Sequence, residues 1–186
     1  GSYLMKLTTT RHLSVVDKNR SSMILQSIGE VERMADYANY LSDSAEEIES
    51  KHLEFSEPAR DELERVIPAV RDIYTMALEC YLSDNAAHAD DIGPLRVVIS
   101  EMCDKCKSNH VERLANGVCT TEQGFVFNDI LYSCVRIAEH SHNIAAIAYR
   151  FKSSGNGDPG TYMHDFKQRK DKDEKKYNEF VRKYNA

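Results

Sequence analysis

Apolar residues recur along this chain at helical spacing, and the alternation of a half-buried strand is nearly absent. Ile24, Ile28, Val31, Ala35, Ala38, Ala45 and Ile48 follow a four-three spacing broken only at Ser42. That pattern predicts a helix over about residues 20–50 with one apolar seam, suited to bundle packing. In "FSEPAR", Ser56 suits a helix cap and Pro58 a first helical turn, so a second helix is expected from about residue 57 to 83. It puts Leu63, Val66, Ile67, Val70, Ile73, Tyr74, Ala77, Leu78 and Tyr81 on one broad face. Pro68 should bend it without ending it, because the period continues beyond.

"SDNAAHADDIGP" reads as a turn region, with a third helix over about 86–116, kinked at Pro94, that carries Leu95, Ile99, Met102, Cys106 and Leu114. That helix should stop at "ANG", where Gly117 suits the left-handed C-terminal position. A fourth helix, about 121–150, has Phe127, Leu131, Cys134, Ala138 and Ala145 on its seam. The "SSGNGDPG" stretch is a linker. Tyr177, Phe180, Val181 and Tyr184 then form a short amphipathic stripe, expected to dock on the bundle or on a partner. The fold class is therefore all-α: an antiparallel bundle over 1–150, then a flexible linker and short helix over 151–186.

Composition narrows the function. With 186 residues, 41% hydrophobic and 29% charged, the chain has the make-up of one globular domain. A net charge of −6 argues against nucleic acid as a partner, which needs a concentrated basic face. Charge is uneven: residues 167–186 are basic, with eight Lys/Arg against four Asp/Glu, and the rest of the chain is acidic in sum. No run reaches the ~20 apolar residues of a membrane-spanning helix. Five cysteines without a secreted-scaffold spacing point to a reducing compartment. No glycine-rich phosphate cradle or nucleophile elbow is present.

Candidate chemistry centres on "EVERMADYANYL" (30–41), which has a counterpart in "CVRIAEHSHNI" (134–144). At a constant offset of 103 residues, Arg33 falls on Arg136, Met34 on Ile137, Ala35 on Ala138, Asp36 on Glu139 and Leu41 on Ile144. Residues four apart share a helix face, so Glu32 and Asp36 present two carboxylates on one stripe that Asp43 extends. Two such anions call for an arginine, a lysine or a metal ion between them, and oxygen donors suit hard divalent ions or iron. The plainer reading makes them half-exposed charges. "YLMKL" (3–7) likewise resembles "HVERL" (110–114), as if the first of two three-helix repeats were truncated.

Three further spacings carry less. Cys103 and Cys106 in "CDKC" have no second pair for zinc and read as core thiols. Glu49 and His52 in "ESKH" give one E-x-x-H where a di-metal carboxylate enzyme needs two. His140 and His142 in "HSH" point apart on a helix, which leaves His142 nearer to Glu139.

The two related stretches resemble the paired E-R-I-G-D-H/Y-A-x-N-I-A signatures of the PhoU domain, a tandem three-helix repeat, over most of 20–150. "HVERLANGVCTTEQGFVFNDILYSCVRIAEHSHNIA" and the tail "YNEFVRKYNA" are similar to the PhoU-like region at the C-terminal end of bacterial sodium/phosphate cotransporter-related membrane proteins. The resemblance implies a non-enzymatic regulator of phosphate transport, on the cytoplasmic side of the inner membrane. Its partner would be the transporter's membrane domain, a phosphate-signalling protein or a second copy of itself; a stand-alone adaptor is the alternative. Some members bind iron or zinc clusters through E-x-x-x-D carboxylates, which carries over to Glu32 and Asp36. In the second motif Glu139 stands for the aspartate, His140 matches the usual histidine, and Val135 cannot ligate.

Overall fold

The computed structural model describes residues 6, 14–83, 88–153 and 173–184. These hold five α-helices and no strand: α1 (Val15–Ser50), α2 (Glu57–Leu82), α3 (Ala89–Ala115), α4 (Thr121–Ser153) and α5 (Glu174–Tyr184). An all-α bundle is the architecture expected from the periodicity. The linker (from residue 154) and all of "YLMKL" except Lys6 lie outside the described residues.

Local chemistry sets the ends. The Ser14 side chain caps α1 by accepting from the Asp17 N–H at 3.1 Å. Ser56 occupies the cap position of α2 with proline in the first turn, as expected, although its hydroxyl makes no cap bond. α2 runs on through Pro68. α3 closes at Gly117, whose φ of 69° is the left-handed value anticipated there. The Val118 N–H then reaches back to the Arg113 carbonyl at 2.9 Å.

α4 opens with a reciprocal cap. The Gln123 N–H donates to Thr120 Oγ1 at 3.2 Å, and the Thr120 N–H donates to Gln123 Oε1 at 2.7 Å. The Gln123 side-chain amide also donates to the Glu54 carbonyl, which pins this corner to the α1–α2 connection.

α4 is the central helix. Phe127, Leu131, Cys134, Ala138 and Ala145, the seam expected from sequence, are all buried. Val66, Val70, Ile73 and Ala77 of α2 join Leu95, Ile99, Met102 and Cys106 of α3 in the same core. A buried ion pair locks α2 to α3: Arg113 donates to both Glu62 carboxylate oxygens at 2.9 and 2.8 Å, and Asn109 donates to the same group. α5 lies across α3 and α2 with Phe180 and Tyr184 buried in that core, so the tail helix docks on the bundle.

α1 differs from the expectation. Its seam is apolar, but the seam is not core: Val31 is 52% exposed, and Ala35 and Ala38 are exposed too. Among the described helices the α1 backbone packs on α4 alone. Among its described side chains only Ser27 and Ser44 are buried. A third of the broad α2 face is open in the same way, with Ile67, Tyr74 and Leu78 at 40–44%.

Candidate functional site

Two features meet where α1 crosses α4. The first is an apolar groove of about 760 Å³ between α1 and α2, floored by Ile137 and Ile144 of α4. Ile28, Val31, Ala35 and Ala38 form one wall, and Ile67, Tyr74, Ala77 and Leu78 form the other. Glu32 and Arg71 are the charged residues on its lining. The Ser27 and Tyr81 hydroxyls bridge the helices there at 2.8 Å. Burial of apolar surface drives association, and a trough of this size with exposed aliphatic walls is a place where a further element can dock.

The second is a polar cluster between α1 and α4. Glu30 accepts from His140 Nδ1 at 2.7 Å and from Asn143 Nδ2 at 3.0 Å. Tyr37 stacks on the His140 ring, with centroids 5.7 Å apart. Arg136 donates to the Tyr37 hydroxyl at 3.2 Å and pairs with Glu139. The hydrogen bond from Arg136 lowers the Tyr37 phenol below its usual range. The Ser141 hydroxyl approaches Met34. The other ring nitrogen of His140, Nε2, is buried without a hydrogen-bond partner.

The expected metal residues are therefore split. Glu139 and His140 stand on α4, where Glu139 is engaged by Arg136 and His140 is enclosed. Glu32 and Asp36 are exposed on α1, and the acid that meets His140 is Glu30 instead. Among the described residues no group of three or more His, Cys, Asp or Glu is arranged to hold a metal ion. A carboxylate backing a histidine is the orientation a metal site uses, but one enclosed imidazole supplies too few donors. The four residues do not fit a metal ion as a set.

Other motifs resolve as packing. His52 lies beyond the end of α1 with a φ of 53°, so Glu49 and His52 share no helix face. Cys103, Cys106 and Cys134 are buried free thiols. Burial pushes Cys106 up to about 11 and Cys134 up to about 12, which makes them inert. No helix among the described residues is long and apolar enough to cross a membrane.

Sequence reasoning missed Glu30, Tyr37 and Asn143. The signal was helical phase: Glu30, Met34, Tyr37 and Leu41 recur at four, three and four residues, the face that α1 turns to α4. No family model, curated protein or solved structure matches the chain.

Proposed function

We propose that this chain is a non-catalytic, PhoU-like regulatory domain of a sodium/phosphate cotransporter-type membrane protein, working by docking on the cytoplasmic side of the membrane. The apolar groove between α1 and α2 carries the reading. On α4, Ala138 of the second signature is buried in the core that α4 shares with α2 and α3, whereas its counterpart Ala35 on α1 is exposed and faces the groove. A helix from the membrane part of the same polypeptide, laid into the trough by its apolar face, would give α1 a comparable cover. An occupant that binds one arrangement of α1 and α2 better than another shifts their equilibrium, which is the means of regulation. The two signatures and the tail supply the phosphate-transport context through resemblance.

The test is phosphate uptake in cells that express the whole gene product, with Val31→Glu or Leu78→Glu in the groove. Either charge should change uptake, or its response to external phosphate, by about fivefold at equal protein level. Uptake and response that match wild type in both variants would remove the reading.

A further inference from the structure

We propose that Cys119 and His110 form a thiol–imidazole dyad at the α3–α4 turn that reacts with hydroperoxides. Cys119 Sγ lies 3.5 Å from His110 Nδ1. His110 is 6% exposed and fixed in place: its ring packs on Phe127 at 5.7 Å between centroids, and its Nε2 edge fills the notch at Gly124. A Cβ built on Gly124 would lie 2.3 Å from that nitrogen, so the ring occupies space that only glycine leaves open.

Cys119 itself immediately precedes Thr120, the cap of the long α4 helix, whose N-terminal dipole favours developing negative charge on sulfur. It is half-exposed, whereas Cys80, Cys103, Cys106 and Cys134 are buried. Of the five thiols it combines solvent access with a base.

The imidazole is in the form the reaction needs. Burial first, and then the Arg113 charge, hold His110 below its usual range, while Glu62 opposes them weakly. The neutral ring keeps a lone pair on Nδ1 for the thiol proton. Nδ1 takes that proton as sulfur attacks one peroxide oxygen. The S–O bond forms and the O–O bond breaks with its electron pair on the departing oxygen, which takes the proton from Nδ1. Sulfur is oxidised by two electrons to the sulfenic acid, and the peroxide is reduced to water or an alcohol.

Hydrogen peroxide, with dimedone to trap sulfenic acid, tests this on the full chain by peptide mass spectrometry. Cys119 should be trapped about tenfold faster than any other cysteine. Gly124→Ala, which displaces the ring, and His110→Phe, which removes it, should each slow trapping at Cys119 severalfold, with helicity followed by circular dichroism. The wild-type pH profile decides if either variant fails to fold. A base-assisted thiol keeps its rate from pH 8 down to about 6.5 and loses it as His110 protonates below that, whereas an unassisted thiol loses tenfold per unit below about 8.5. Equal trapping at all five cysteines, rates unchanged in both folded variants, or the unassisted profile would each overturn the proposal.

Discussion

Tyr37 and His140 stack across the α1–α4 interface with planes 21° apart, and they occupy corresponding positions in the two related stretches. Low numbers on α1 meet high numbers on α4: Glu30 reaches Asn143, and Tyr37 reaches Arg136. The helices therefore run antiparallel, with the matched pair near their crossing point. Glu30 and Arg136 hold the crossing from its two sides.

Removing the Glu30 carboxylate should be felt there. Glu30→Leu strips the acceptor from His140, which is 2% exposed, and from Asn143. A buried donor left unpaired, as that of His140 would be, costs about 1–3 kcal/mol, while the half-buried Asn143 can turn to water. Urea denaturation followed by far-ultraviolet circular dichroism should show a loss of about 2 kcal/mol, and a loss below experimental error would contradict the assignment.

The Glu62–Arg113 pair gives a sharper contrast. Its side chains are 7% and 11% exposed, so Glu62→Leu leaves a buried guanidinium and should cost about 3–5 kcal/mol. Adding Arg113→Met removes the uncompensated charge and should recover much of that loss. A double variant no more stable than the single one would show that packing, not charge, dominates.

The exposed acids should behave in the opposite way. Glu32 and Asp36 stand in solvent on α1, and Glu32→Ala or Asp36→Ala should shift the unfolding free energy by less than about 0.5 kcal/mol. Losses above about 1 kcal/mol in thermal melts would mean that the two carboxylates hold something together.

Filling the groove should stabilise the bundle. Ala35→Phe places a ring against Ile137 and Ala77 and covers exposed aliphatic surface, which is expected to contribute about 1 kcal/mol. It should also reduce the fluorescence of an apolar dye mixed with the protein. Unchanged fluorescence would place the dye site elsewhere.

The tail helix carries a pH dependence. Asp72 accepts from Lys183 Nζ at 2.6 Å and from the Tyr184 hydroxyl. Burial pushes its carboxyl upward, but those two hydrogen bonds, with the Lys183 and Arg71 charges, outweigh it and hold the group below the usual carboxylate range. A depressed carboxylic acid stabilises the fold above its unfolded value and loses that contribution as pH falls through the folded one. Amide exchange in α5 should therefore quicken as pH drops below about 4, after correction for intrinsic rates. Asp72→Asn should show the quickened rate already at neutral pH.

Periodicity and capping chemistry made most of the fold legible. Gly117, Pro58 and the seam of α4 are read directly from residue type and phase, because those choices are settled within a turn or two. The seam of α1 was equally visible, yet Val31, Ala35 and Ala38 line an open groove. An apolar period says which face avoids water; it does not say what covers it. The candidate site was legible only in part for a related reason. Glu32 and Asp36 drew notice as a spaced pair, while Glu30, one phase away, is the residue that reaches His140. Which of two acidic stripes meets a neighbour depends on helix rotation in the assembled bundle.

Because among the described helices the α1 backbone packs on α4 alone, with the Ser27–Tyr81 hydroxyl pair as a further tie to α2, that long rod has one main line of attachment and an open flank. It is the element with least to lose by swinging, and hydrogen exchange should find it the first of the four long helices to open. Anything wedged along the flank would clamp the rod against α2, so an event at the trough becomes a change in the angle of a 36-residue lever.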